Sequence, residues 1–161
     1  MQAAKILVVD DDTVARDLLA EALKKEGYSV EAYGSGEEAI ARGREGRVDL
    51  VLTDIRMGAV DGLTVLREFK RMSQDTAIVV LTAFGSLEGA IEAIKQGAYD
   101  YLAKPFKKEE IKLVVQRSLD VARGTEQGQV GAHAGQTWVQ GLEGVLDSLS
   151  DLKRAGAGEL L

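Results

Sequence analysis

Three consecutive carboxylates, Asp10, Asp11 and Asp12, follow directly on an aliphatic run in "KILVVDDDTV". Asp54 closes "LVLTD", Thr82 closes "AIVVLT" and Lys104 follows "YDYLA". Acids gathered this closely repel one another unless a cation or a shared proton compensates them. The chain has no cysteine and a single histidine, His133, so thiolate and His-cluster sites are excluded and the fitting cation is a hard one. Mg²⁺ suits the set best, because it accepts a few carboxylates, keeps several waters and takes a phosphate oxygen as a further ligand. Lys104 adds a second positive charge. Carboxylates, a divalent cation, a lysine and a hydroxyl are the equipment for holding a phosphoryl group in transfer, where electrostatic stabilisation does most of the work. One carboxylate then serves as nucleophile, and Asp54 and Asp10 are the candidates.

These side chains converge only if the chain between them alternates strands and helices. Strand-like runs are Ile6–Asp10, Tyr28–Tyr33 (weakly), Leu50–Asp54, Ala77–Thr82 and Tyr101–Lys104. They are short and mostly apolar, as parallel strands covered on both faces are. Helix-period stripes lie between them: Ala15, Leu18, Leu19, Ala22 and Leu23; then Leu63, Leu66 and Phe69; then Leu87, Ala90, Ile91 and Ile94; then Ile111, Val114, Val115 and Leu119. Ser35 with Glu38 fits a capping box for a poorer helix after Gly34, and Gly27, Gly46 and Gly97 fall where helices should stop. Five βα units in a row predict an α/β fold, a doubly wound five-stranded parallel sheet with helices on both faces. In such a sheet the strand carboxyl ends form the ligand crevice, and Asp10, Asp11, Asp54, Thr82 and Lys104 all sit at strand ends. Asp12 reads as the N-cap of a helix starting at Thr13.

The 161 residues carry a formal net charge of −6. That leaves no basic field for gripping phosphate backbones, so no direct nucleic-acid binding is expected. No apolar run is long enough to span a membrane, and no export signal is read at the N-terminus; a cytoplasmic location is expected. Character changes after Arg123. Residues 123–136 read as a Gly- and Gln-rich flexible linker. Within 137–154, Trp138, Leu142, Val145, Leu149 and Leu152 recur at steps of four and three, a short heptad-like seam on an amphipathic helix. Residues 155–161 read as a frayed tail.

The motifs "VVDDD", "LVLTDIRM" with a following "DG", "VVLTA" and "YDYLAKPF", in this order and spacing, resemble the receiver domain of bacterial response regulators. The run "TAFGSLEGAIEAIKQGAYDYLAKPF" is most similar to receivers of NtrC-type enhancer-binding activators. The resemblance covers residues 4–122. It implies the flavodoxin-like strand order 2-1-3-4-5 and a phosphoacceptor at Asp54. It further implies Mg²⁺ held by Asp11, Asp54 and the backbone carbonyl of Arg56, with Asp10 acting through a metal-bound water and Lys104 pairing with the phosphoryl group. Thr82 becomes the switch hydroxyl, Tyr101 the switch aromatic, and Pro105 the site of a cis peptide that aims the lysine inward. Arg56 and Phe84 take positions that modulate dephosphorylation in the family. The implied partners are a sensor histidine kinase and a downstream protein the sequence does not name. That protein would meet the face of the fourth helix, fifth strand and fifth helix, with Ala90, Ile94, Tyr99, Lys107 and Lys108 on its surface. Two routes to a homodimer are open, through that face or through the tail helix.

One departure concerns the loop after Asp54, where the family's "MP" is here Met57–Gly58, which raises loop flexibility. Another concerns output. NtrC-type activators continue into an ATPase and a helix-turn-helix, yet no "GxxxxGK" occurs and 38 residues follow Arg123, too few for either module. The expectation is a stand-alone receiver with a short docking helix, or a piece of a longer activator. Two alternatives remain. "DDDTV" also resembles the D-x-D-x-[TV] signature of haloacid-dehalogenase-type phosphatases, with Asp10 as nucleophile and Asp12 as general acid; the last is an unphosphorylated interaction module that keeps the receiver shape.

Overall fold

Aliphatic runs flanked by helix-period segments have two faces to bury, and the chain solves this by placing each strand between helices. In the computed structural model, which describes residues 3–83 and 87–122, the elements are β1 (Lys5–Val9), α1 (Thr13–Lys25), β2 (Ser29–Tyr33), α2 (Gly36–Glu45), β3 (Leu50–Asp54), α3 (Gly62–Met72), β4 (Ala77–Thr82), α4 (Leu87–Lys95), β5 (Asp100–Ala103) and α5 (Lys108–Ala122). The strands form one all-parallel sheet in the order β2-β1-β3-β4-β5. The linker, tail helix and frayed end expected over 123–161, and Phe84, lie outside the described residues.

Side-chain alternation along the strands sorts the core into two layers. Ile6, Val8, Leu50, Leu52, Val79 and Leu81 pack with Leu19 and Leu23 of α1 and with Ile111, Val115 and Leu119 of α5. Leu7, Val9, Val51, Ile78 and Val80 pack on the other face with Ala39 and Ile40 of α2, Val65, Leu66 and Phe69 of α3, and Ala93 of α4. The central strands β1, β3 and β4 are almost wholly enclosed, whereas β2 and β5 are half-buried edges. This explains why the β2 signal is weak in sequence. Among the described residues no helix is long and apolar enough to cross a membrane.

Several boundaries differ from the sequence expectation. Leu18 is 42 % exposed; α1 is turned so that Leu19, Ala20 and Leu23 face the sheet, and Leu18 falls one step round the helix from that stripe. Ala90 is only 1 % exposed, so it belongs to the core side of α4 and contributes no partner surface. β5 begins at Asp100 and ends at Ala103, one residue earlier than read. Gly27 and Gly97 adopt positive φ of 93° and 115° at helix ends, as a left-handed cap requires; Gly46 is extended and needs no glycine for that reason. Ser35 caps α2 by accepting from the Glu38 amide, and its hydroxyl lies 3.2 Å from Glu38 Oε1.

Candidate functional site

β1 feeds β2 on one side and β3 enters on the other, so the strand order reverses between β1 and β3. The crevice at such a switch point opens beyond the strand carboxyl ends. Asp10 and Asp11 follow β1, and Asp54 ends β3. The Asp10 amide donates to the Tyr33 carbonyl at 3.1 Å, extending the ladder by one residue and anchoring the acid to the sheet.

The carboxylates of Asp10, Asp11 and Asp54 each place an oxygen within 4.8 Å of the others. Asp54 Oδ1 accepts from the Arg56 amide at 3.0 Å, and Asp10 Oδ1 accepts from the Asp12 amide at 2.9 Å. The remaining oxygens meet Lys104, whose Nζ lies 2.8 Å from Asp54 Oδ2 and 2.7 Å from Asp10 Oδ2. The second contact is an ion pair outside hydrogen-bonding angles, so Asp10 Oδ2, fully enclosed, has no hydrogen-bond donor. Burial pulls the Lys104 ammonium down, but the two carboxylates together outweigh it and hold its pKa above the ordinary lysine value. Three carboxylates thus face one ammonium, with a buried oxygen lacking a donor. That hard-oxygen donor set fits a divalent cation such as Mg²⁺.

Other predicted residues surround this core. Thr82, 3 % exposed, ends β4 one position beyond the partner of Asp54, and its carbonyl accepts from the Lys104 amide at 2.8 Å. The Lys104–Pro105 peptide is cis. Tyr101 is half-buried on β5 opposite Val80 and packs on the α2–α3–α4 side. Arg56 is exposed at the rim, its amide turned to Asp54. Asp12 caps α1, its Oδ1 accepting from the Val14 amide at 3.0 Å, the role read for it from the sequence. Gly58 lies outside the left-handed region and a Cβ there meets nothing within 4 Å, so its backbone does not demand glycine.

Two contributors were missed by sequence reasoning. Arg16 Nη1 donates to the Asp10 carbonyl at 2.9 Å; the signal available was a lone basic residue one helical turn beyond the acids. Gly62 donates from its amide to the Ile55 carbonyl at 2.8 Å, and a Cβ there would collide with the carbonyl of Asp54. Backbone cannot move aside as a side chain can. Gly62→Ala is therefore expected to destabilise the fold by about 1–3 kcal/mol, the usual cost of overpacking, read as a lower denaturation midpoint in urea; an unchanged midpoint would show that the Asp54 loop gives way freely.

The family model for the response regulator receiver domain matches residues 6–116. The chain belongs to this family. The receiver is 40 % identical over 131 residues to the transcriptional regulatory protein ZraR of Salmonella typhimurium, covering 81 % of this chain and 30 % of that protein. It is 36 % identical over 119 residues to the DNA-binding transcriptional regulator NtrC of the same organism, covering 74 % and 25 %. The chain thus spans a third or less of these curated relatives. Among solved structures, NtrX from Brucella abortus in complex with ATP aligns with a TM-score of 0.73 at 36 % identity over 76 % of this chain and 28 % of that one. The isolated receiver domain of NtrX aligns at 0.69 and 37 % identity over 71 % and 98 %. The receiver's five-stranded parallel sheet in the order 2-1-3-4-5 and its similarity to NtrC-type proteins agree with the sequence expectation.

Proposed function

We propose that this receiver is a phosphorylation-driven switch in which Asp54 takes a phosphoryl group from a phosphohistidine on a sensor kinase. The observation that supports it most directly is the single Lys104 ammonium bridging Asp54 and Asp10 at 2.8 and 2.7 Å in a crevice that gathers three acids. Asp11, Asp54 and the Arg56 carbonyl would hold Mg²⁺, with Asp10 acting through a water. When bound, the ion supplies charge neutralisation and a template for the transferring group. An Asp54 carboxylate oxygen attacks phosphorus in line; the new O–P bond forms as the P–N bond to imidazole breaks, and the leaving nitrogen keeps the electron pair. Lys104 neutralises charge growing on the equatorial oxygens. Thr82 then gains a hydrogen bond to a phosphoryl oxygen that exists in one state only, and such state-specific contacts shift a two-state equilibrium. Tyr101 follows, re-forming the α4–β5–α5 face for a downstream protein.

Incubating the chain with Mg²⁺ and acetyl phosphate, and locating the added group by peptide mass spectrometry, tests this reading. A Mg²⁺-dependent adduct on Asp54 supports it. Label on Asp10 revives the phosphatase alternative, and no label where another receiver reacts favours an interaction module.

The approach of a protein donor is marked by α1. Val14 is 77 % and Leu18 42 % exposed, one helical turn apart and directly after the acids. An apolar pair beside a charged crevice is suited to a partner that must reach into it. Val14→Asp with Leu18→Asp is expected to lower the ratio of labelling by a phosphorylated sensor kinase to labelling by acetyl phosphate about tenfold. An unchanged ratio would place the donor contact elsewhere.

A further inference from the structure

Asp11 poses a problem that its neighbours do not. Asp10 is fully buried and Asp54 is bound through both oxygens, but Asp11 is an exposed loop residue whose carboxylate nevertheless stays within 4.8 Å of two like charges. Repulsion would swing an exposed side chain on a free backbone away. Its backbone is not free. The peptide before Asp11 is held through its carbonyl, that of Asp10, by Arg16 Nη1 at 2.9 Å. The peptide after it is held through its amide, that of Asp12, by Asp10 Oδ1 at 2.9 Å. Each peptide is planar, so anchoring both neighbouring planes restrains the φ and ψ of Asp11 and with them the direction of its Cα–Cβ bond.

Gly34 belongs to the same arrangement. It follows Tyr33, whose carbonyl accepts from the Asp10 amide, and precedes the Ser35 cap of α2. Its φ is not in the left-handed region, so its conformation does not call for glycine. A Cβ at position 34 would lie 2.8 Å from Arg16 Nη1, the far end of a flexible side chain, so an added methyl there is accommodated by displacing the guanidinium.

We infer that Arg16 is a positioning residue for the acidic site, orienting Asp11 toward Asp10 and Asp54 through the Asp10 carbonyl, and that Gly34 is the slot that admits its guanidinium. This rests on the reading above that the site takes a divalent cation. Charge alone predicts the opposite sign. A guanidinium near a cation site repels the cation, so losing it should tighten binding, whereas losing a positioning group weakens it.

The test is Mn²⁺ titration of the full chain, followed by electron paramagnetic resonance, for the parent, Arg16→Met, Arg16→Lys and Gly34→Ala, each checked by thermal melting to be folded at the titration temperature. Arg16→Met is expected to weaken Mn²⁺ binding about tenfold, with Arg16→Lys retaining part of the affinity. Gly34→Ala, which leaves every charge in place and displaces only the guanidinium, is expected to weaken binding in the same direction. It carries the test by itself if Arg16→Met does not fold. Binding as tight as the parent's or tighter in Arg16→Met, or unchanged binding in Gly34→Ala, overturns the inference and leaves the cation reading standing. A folded parent chain that binds no Mn²⁺ overturns both.

Discussion

Asp54→Asn is expected to abolish the Mg²⁺-dependent adduct, lowering labelling by acetyl phosphate at least a hundredfold, while barely moving the thermal midpoint of the metal-free chain. The single amide oxygen of Asn can still accept from Lys104, now 2.8 Å from Oδ2, while its NH2 takes the place of Oδ1 and loses the hydrogen bond that the Arg56 amide now makes at 3.0 Å. A neutral amide oxygen is a far poorer nucleophile than a carboxylate. The substitution also removes one of three like charges facing a single ammonium, and the relieved repulsion offsets the lost Arg56 contact and the weakened one with Lys104. Function and stability therefore separate. Intact-mass measurement paired with thermal melting checks both halves, and undiminished labelling in Asp54→Asn would sink the proposed phosphoacceptor.

For Lys104→Met the two properties fall together. Lys104 is the ammonium that Asp10, 0 % exposed, and Asp54 share. Breaking a fully buried ion pair costs about 3–5 kcal/mol because it strands a charge. The Lys104 side chain is 23 % exposed, so water reaches the gap, and about 2 kcal/mol is expected in metal-free buffer. Added Mg²⁺ should recover more stability in Lys104→Met than it adds to the parent, since the variant crevice is more negative. The pH dependence has a definite sign. The folded-state pKa of Lys104 is raised above 10.5, so its contribution is present in full below 10.5 and is lost as pH rises through the folded value. The difference between parent and variant should therefore hold across neutral pH and close only in alkali. Labelling should fall about a hundredfold, as when one preorganised electrostatic group is removed. An unchanged metal-free midpoint would mean that Asp10 has another source of compensation.

A patch opposite the crevice is governed by different physics. Lys70 Nζ sits 4.5 Å from the centre of the Tyr99 ring and 3.2 Å from the Thr76 carbonyl. Burial pulls the Lys70 pKa down and pushes that of Tyr99 up. Tyr99 is thus half-buried against the core and held by α3, not simply one member of an open partner face. Lys107 and Lys108 do remain exposed there.

Much of this was legible in the chain. Strands such as Ile6–Val9 and Ala77–Thr82 are covered on both faces, so their aliphatic runs announce them without tertiary information. The placement of Asp10, Asp54, Thr82 and Lys104 at strand ends follows from those runs, and parallel connectivity puts all such ends at one edge of the sheet. Asp12 as an N-cap was readable too, because capping is local chemistry between residues two or three apart. Tertiary structure decided what depends on rotation and close approach. Whether Leu18 or Ala20 faces the sheet is set by how α1 seats against β1 and α5, which a periodicity of 3.6 leaves open within one step. Gly62 against the Asp54 carbonyl, and Arg16 in the space left by Gly34, are contacts in which an absent side chain is the essential feature. A sequence displays the residues that are present, and only the packed backbone reveals which atoms would otherwise occupy the same place.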